Sequence, residues 1–405
     1  MCSRDCAKKF HSAAKMNPAI APWPHFAEDE IAAVSAVLRS GKINYWTGEE
    51  GRAFEREYAL ATGRKHGVAL ANGTLALELA LHAFGIGAGD EVITASRTYV
   101  ASASCAVMCG AVPVVADIDP DSQCVTADTL RAVLTPRTRA IVAVHLGGWP
   151  CPMDEIMALA AEHDLVVVED CAQAHGATWR GSPVGAFGHA AAFSFCQDKI
   201  ITTGGEGGML VLDDEDAWQR AWSYKDIGRS FDAVYRRQHA PGFRWLTESF
   251  GTNWRLTELQ SAIGRAQLAK LPRWTAARRA NAARLAAGFA GLPGLRVPLP
   301  PAHVGHAYYK FYAFVQPEAL ADGWSRDRIM AELNERGVGC TVGSCSEIYL
   351  EKAFTDRHWG PPQRLPVARQ LGETSLCFMV HPTLAPETLD AIVAAVHTVM
   401  ALASR

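Results

Sequence analysis

Between residues 66 and 170 the apolar pattern alternates between short solid runs and longer stretches with apolar residues three and four apart. The solid runs are His66–Ala71, Glu91–Ala95, Val112–Ile118, Ala140–Leu146 and Leu165–Glu169, and they predict strands. The spaced stretches, a helix from Thr74 and then Val100–Cys109, Thr129–Leu134 and Met153–His163, predict helices. The strand runs are apolar at nearly every position, valine above all in the last, which means burial on both faces. Strand and helix in strict alternation predict an α/β domain with a mainly parallel central sheet. Upstream, Glu28–Leu38 and Phe54–Thr62 read as helices around a loop at Ile43–Gly51. Downstream, Ala190–Phe195 and the run from Met209 read as two more strands.

Beyond residue 209 the alternation fades. Trp218–Gly228 is helical, and Arg229–Asn253 is a long polar loop rich in aromatics, of a length that usually carries function or meets a partner. Leu256–Leu271 and Trp274–Phe289 are two strong helical patterns, followed by a boundary at prolines 293, 298, 300 and 301. Tyr308–Val315 is a strand, Arg326–Arg336 a helix and Pro386–Leu402 a closing amphipathic helix. The expected organisation is an N-terminal extension 1–20, a large domain 21–275 and a smaller C-terminal α+β domain 276–405. Internal repeats and low-complexity segments are absent from the sequence.

Composition changes this picture little. The 405 residues are 49% hydrophobic and 20% charged with net charge −3, an ordinary globular balance without the basic excess that nucleic acid demands. The 11 cysteines are scattered, odd in number and free of C-x2-C pairs, so reduced thiols in the cytoplasm are expected rather than a disulfide or zinc framework. No H-E-x-x-H occurs and no metal is expected. The N-terminus lacks a signal-peptide core and no run of about 18 apolar residues predicts a membrane span. Met16 is an alternative start, and the first 15 residues are expected to be poorly ordered.

The candidate chemistry sits at the carboxyl ends of the strands, where open α/β sheets bind ligands. There stand Asn72-Gly73-Thr74, Arg97 to Tyr99, His145 and Asp170. The turn Asn72-Gly73-Thr74 opens a helix that Thr74 is placed to cap, and a helix N-terminus after glycine attracts anions. Lys199 lies in the polar break of AAFSFCQDKIITTGGEGGM, whose glycines let a planar group approach closely. Read alone, it is either a Schiff-base lysine for pyridoxal phosphate or a surface lysine in a glycine-rich hairpin. Asp170 ends a buried valine strand, where an aspartate binds a metal, caps a helix or serves a cofactor. A Walker motif is absent, whereas a pyridine cofactor needs an acid on its ring nitrogen. Gln173, three residues on, suits a ring hydroxyl, Ser194 a phosphate and Tyr99 a stacking face, although each also has an ordinary structural role.

The motifs ANGTLALELAL, GAGDEVITASRTYVASA, GAVPVVADID, TPRTRAIVAVHLGG, VVVEDCAQAHGA, FSFCQDKIITTGGEGG, GTNWRLTELQSAIG and SLCFMVHPTL occur in that order. In this the chain resembles the DegT/StrS-type sugar aminotransferases, fold-type I pyridoxal 5′-phosphate enzymes, over residues 22–400. The resemblance implies that Lys199 forms the Schiff base, Asp170 meets the ring nitrogen, Gln173 the ring hydroxyl and Tyr99 the ring face. Gly73, Thr74 and Ser194 match the phosphate cradle. Asn253 matches an asparagine that reaches the phosphate of a neighbouring subunit, which implies a homodimer. The implied reaction carries an amino group from L-glutamate to a nucleotide-diphosphate-linked keto sugar, with Lys199 as covalent anchor and general acid/base. His306 and His381 are candidates for the acceptor pocket, or packing histidines. Departures are Asn72 for the usual serine, Cys171 for alanine and the stretch Gly339–Phe354, which leaves the substrate open. Alternatives are an aromatising dehydratase of the same family or a catalytically silent regulator with this fold. A sugar-dehydrating branch puts histidine at the lysine position, and Lys199 argues against it.

Overall fold

The structure, a computed structural model, describes residues 21–405; the expected extension 1–20 and Met16 lie outside the described residues. The strands are β1 His66–Leu70, β2 Glu91–Ala95, β3 Val112–Ala116, β4 Thr138–Val144, β5 Val166–Asp170, β6 Thr178–Trp179, β7 Ser182–Pro183, β8 Ala190–Ser194 and β9 Gly208–Leu212. Seven of them form one sheet in the order β1-β9-β8-β5-β4-β2-β3. The pairs β3–β2, β2–β4, β4–β5 and β5–β8 are parallel, and β9 runs antiparallel to both its neighbours. The reversal follows from the connection: β8 and β9 are joined by a loop with no crossover helix, which permits only antiparallel pairing. The mainly parallel sheet expected from the solid apolar runs is therefore present, and β2, β8 and β9 are buried at every position.

The helices are α1 Glu28–Ser40, α2 Glu50–Ala61, α3 Gly73–Ala83, α4 Ala101–Met108, α5 Ala127–Arg131, α6 Met153–Glu162, α7 Glu215–Lys225, α8 Phe231–Tyr235 and α9 Glu258–Phe289. Two details differ from the sequence reading. The cap of α3 is Asn72, whose side chain accepts from the Leu75 N–H at 2.9 Å, so the helix starts one residue before Thr74. The patterns on either side of Pro272 belong to one helix of 32 residues, α9. Proline costs that helix one hydrogen bond. Packing on both sides offsets the loss: the first half of α9 lies on α1 and α2, and Ala282, Leu285 and Phe289 of the second half enter the C-terminal core. The division at 275/276 thus falls in mid-helix, and α9 belongs to both packed units.

The C-terminal part adds β10 Leu295–Arg296, β11 Val304–Gly305, β12 Phe311–Val315, β13 Ser375–Phe378, α10 Arg326–Glu335, α11 Lys352–Thr355, α12 Pro366–Thr374 and α13 Pro386–Ala403. Strands β10, β12 and β13 make an antiparallel sheet, and β11 pairs with the small hairpin β6–β7. Among the described helices, α13 alone is long and apolar enough to cross a membrane by length and composition. Its Leu389, Ile392, Val396, Val399 and Met400 are buried in the C-terminal core, which accounts for that composition. Every described cysteine is a free thiol.

Candidate active site

The parallel strands deliver their carboxyl ends to one edge of the sheet, where the loop 195–207 crosses. That loop is braced internally: Thr202 Oγ1 donates to the Phe195 carbonyl (3.0 Å) and Thr203 Oγ1 to the Glu206 carbonyl (2.6 Å). The Lys199 N–H donates to the Cys196 carbonyl (3.1 Å), and the Trp23 indole donates to the Lys199 carbonyl (2.9 Å). Its ammonium stands 3.7 Å from Asp198 Oδ1 and 5.0 Å from the centre of the Tyr309 ring. The side chain is 17% exposed, so the amine is reachable. Tyr309 Oη donates to Asp198 Oδ2. Burial works against the Asp198 charge, but Lys199, Tyr309 and Lys310 hold the carboxyl below its usual range.

Asp170 closes β5 in a buried position. Ser102 Oγ donates to its Oδ2 at 2.7 Å, and the Ala172 N–H to its Oδ1 at 3.1 Å. Ser102 is itself tied to Thr98 Oγ1 at 2.7 Å. Burial raises the Asp170 pKa; Ser102, the Ala172 amide and Lys199 oppose that rise. The carboxylate is therefore oriented and kept usable by neighbours rather than by solvent. Removing a hydrogen bond to a charged group costs about 1.5–3 kcal/mol, so Ser102→Ala is expected to lower kcat about tenfold or more, with little effect on KM. Ser102→Thr, which keeps the hydroxyl, should restore the rate. A steady-state comparison showing wild-type kcat in Ser102→Ala would contradict the role.

Glu169, one residue earlier, serves the scaffold. Its carboxylate accepts from the Gly185, Phe187 and Gly188 amides, each at 2.8 Å, and from His145 Nε2 at 3.0 Å. The Cys151 N–H donates to His145 Nδ1 (2.9 Å), so the proton of neutral His145 is on Nε2. His145, Glu169 and Cys171 bring donor atoms within 4.8 Å of one another, but those of His145 and Glu169 are already spent on these bonds.

On β8, the strand next to Asp170, a cradle forms where the N-terminus of α3 meets the strand's end. A Cβ on Gly73 would lie 2.5 Å from Ser194 Cβ, so only glycine lets the α3 N-terminus come this close to the end of β8. The first-turn amides of Gly73 and Thr74 donate to no described residue, while Asn72 takes that of Leu75. Free amides, a helix dipole and the Ser194 hydroxyl suit a phosphate. Gln173 Oε1 accepts from the Gly147 N–H at 2.7 Å, which turns its Nε2 into the free donor. The Tyr99 ring is 69% exposed, and Asn253 is exposed, touching its own chain through a backbone bridge to Asp226.

The two histidines differ. His306 Nδ1 accepts from the Tyr308 N–H (2.8 Å) and its ring stacks on Tyr308 at 3.8 Å, the arrangement of a packing residue. His381 stacks on Trp23 at 6.0 Å, on the Lys199 side. Burial, aided by nearby cations, pushes His306 down to about 3 and His381 to about 4, and burial pushes His175 to about 3. The folded protein thus keeps them neutral where the unfolded chain, near the ordinary histidine value, takes up protons. Stability present above about pH 6.5 is therefore lost as pH falls, by at most about 1.4 kcal/mol per histidine per pH unit. His306→Asn, which keeps an acceptor for Tyr308, should flatten this acid limb. Urea midpoints falling equally steeply in both proteins would refute it.

Trp23, Ser102, Asp198, Arg278, Tyr309 and Lys310 escaped the sequence reading. The spacing of Thr98 and Ser102, four apart at a helix start, is the one local trace, and the small-residue pattern of that helix masks it.

Pyridoxal phosphate carries an aldehyde, a ring nitrogen, a ring hydroxyl and a phosphate. The residues fit it part by part: a reachable amine at Lys199, a held carboxylate at Asp170, a free amide on Gln173 and a cradle that a Cβ at Gly73 would fill. On this sheet they define a pyridoxal-phosphate-dependent enzyme of fold-type I. Residues 24–397 match the DegT/DnrJ/EryC1/StrS aminotransferase family, and the chain belongs to that family. It is similar to a crystallised aminotransferase from Psychrobacter cryohalolentis, with 53% identity, 94% of this chain and 98% of that one covered, and a TM-score of 0.93. It is 38% identical over 365 residues to the GDP-perosamine synthase of Caulobacter vibrioides, covering 88% of this chain and 92% of that protein. It is 39% identical over 323 residues to a Streptoalloteichus tenebrarius protein provisionally named L-glutamine:3-amino-2,3-dideoxy-scyllo-inosose aminotransferase, covering 78% of this chain and 74% of that protein. The enzyme is an aminotransferase of the kind that acts on sugars, and pyridoxal 5′-phosphate is its cofactor.

Proposed function

We propose that the enzyme moves the amino group of L-glutamate to a keto sugar carried on a nucleoside diphosphate, making an amino sugar for surface polysaccharide or secondary metabolism. The observation that carries this reading is a reachable Lys199 within electrostatic reach of a buried, oriented Asp170, with the free amides of Gly73 and Thr74 and the Ser194 hydroxyl at neighbouring strand ends. The likeness to a GDP-perosamine synthase supports the nucleotide-linked acceptor.

When bound, pyridoxal phosphate supplies the electron sink for the donor's α-carbon. Lys199 Nζ would anchor it and would carry the proton away from that carbon. Asp170 keeps a proton on the ring nitrogen. Gln173 Nε2 donates to the ring oxygen, and Gly73, Thr74 and Ser194 hold the phosphate. Tyr99 covers the ring. His381, beside Trp23, is assigned to the acceptor side, and His306 to packing.

The active unit is a homodimer in which Asn253 reaches the neighbouring subunit's phosphate site. Exposed Asn253 supports this, as do Phe243, Trp245 and Phe250, exposed on the loop before it at 78%, 77% and 100%. Apolar rings left in the open mark a surface made for a partner. The reduced thiols suit work in the cytoplasm.

The test is a screen of nucleotide-linked keto sugars with L-glutamate as donor, read by mass spectrometry of the sugar. Gain of an amino group by one of them is expected. Amination of a free keto cyclitol with none of the nucleotide sugars accepted would refute the nucleotide-linked acceptor while leaving the aminotransferase intact.

A further inference from the structure

Beside Lys199 the chain gathers positive charge that its own carboxylates do not balance. Lys310 Nζ lies 4.0 Å from Asp198 Oδ2 while Lys199 Nζ lies 3.7 Å from Asp198 Oδ1, so two ammonium groups share one carboxylate. Both stand against the Tyr309 ring, at 4.7 and 5.0 Å from its centre. The other polar contact of Lys310 is the Met379 sulfur at 3.2 Å, and its side chain is 16% exposed.

Arg278, on α9, is 2% exposed and pairs with no carboxylate among the described residues. Among the described residues its Nη1 reaches only the Tyr308 and Tyr309 carbonyls, at 3.4 and 3.3 Å, and its Nε and Nη2 have no acceptor. The Trp23 ring lies 4.9 Å from the guanidinium, and the same indole is bonded to the Lys199 carbonyl. Arg97, equally buried, shows the contrast. Both its terminal nitrogens donate to side chains, to the Ser346 and Ser375 hydroxyls at 2.9 and 3.0 Å, and its Nε alone is left without an acceptor among the described residues. Burial lowers the pKa of both Arg278 and Lys310, and each cation lies within electrostatic reach of Asp198. A buried guanidinium with idle donors beside a half-paired ammonium is costly unless an anion arrives.

We propose that Lys310 and Arg278 bind the α-carboxylate of the amino donor, an L-amino acid, next to Lys199. The proposal rests on the reading of Lys199 as the cofactor lysine. An α-carboxylate is two bonds from the reacting nitrogen, so its partners must stand beside Lys199 Nζ. Lys310 does so through the shared Asp198. The diphosphate of a nucleotide sugar is separated from the keto carbon by ring atoms and reaches further out. The guanidinium fork suits the two oxygens of a carboxylate, and the ammonium adds a point charge. Before the donor binds, Asp198 occupies Lys310, and Tyr309 holds Asp198 in place.

The test is the donor half-reaction of the holoenzyme without sugar, followed by absorbance with L-glutamate, L-glutamine and 4-aminobutyrate, which lacks the α-carboxylate. In Lys310→Met and in Arg278→Gln the KM for both amino acids should rise at least tenfold. The preference of the wild type for L-glutamate over 4-aminobutyrate should fall by a similar factor. Unchanged KM and preference in Lys310→Met, the less buried of the two sites, would overturn the proposal even if Arg278→Gln does not fold. An equal loss toward 4-aminobutyrate would overturn it too, as general damage. A wild type that reacts with no amino acid would instead sink the reading of Lys199 beneath it.

Discussion

Lys199→Ala is expected to lose at least about three orders of magnitude in turnover and all visible absorbance from covalently held cofactor. Lys199 is the reachable amine within electrostatic reach of Asp170 at the end of β5. The other nearby amine, Lys310, lies at the other carboxylate oxygen of Asp198 and against the Met379 sulfur. Alanine removes the anchor and the proton carrier together, and no neighbour is placed to take over both. The fold should survive, because the loop is held by backbone bonds and by Thr202 and Thr203 rather than by the lysine side chain. Stopped-flow and steady-state rates of the purified variant decide the matter; a variant within tenfold of wild type would refute the assignment.

Asp170→Asn should cost about 10²–10³-fold in kcat, the usual loss when a preorganised electrostatic partner of the reaction is removed. Asparagine keeps the shape and, through Oδ1, the Ala172 bond, while its Nδ2 can only donate to Ser102 Oγ with that bond reversed; the negative charge is gone, so the ring nitrogen loses the ion that keeps it protonated. Burial makes the loss larger, since no water takes the place of the carboxylate. Donor KM should change far less than kcat. Kinetics within threefold of wild type would mean that the charge of Asp170 is not used.

The sheet was legible because its strands are solid apolar runs, a pattern that only burial on both faces explains. Lys199 and Asp170 were legible because they interrupt such runs with polar groups at strand ends. Ser102 was not, since a helix reading ASASC looks like packing by small residues. Arg278 sits in ARRANAARL, inside a stretch read only as helical, and only the fold brings Trp23 over it. The Trp23–Lys199 bond joins residues 176 apart, a separation that leaves no trace in local periodicity. Proline 272 suggested two helices where packing holds one. Tyr99 and Asn253 are a different case: both were picked out, and both stand exposed in the single chain.

The measurement that tests the central claim most directly is borohydride reduction of the holoenzyme followed by peptide mapping, with and without prior L-glutamate. The predicted result is a single phosphopyridoxyl label, on Lys199, that disappears when L-glutamate is added first because the amino group has been taken up by the cofactor. A label on another lysine would contradict the anchor, and a Lys199 label that persists through glutamate treatment would contradict transamination from that donor.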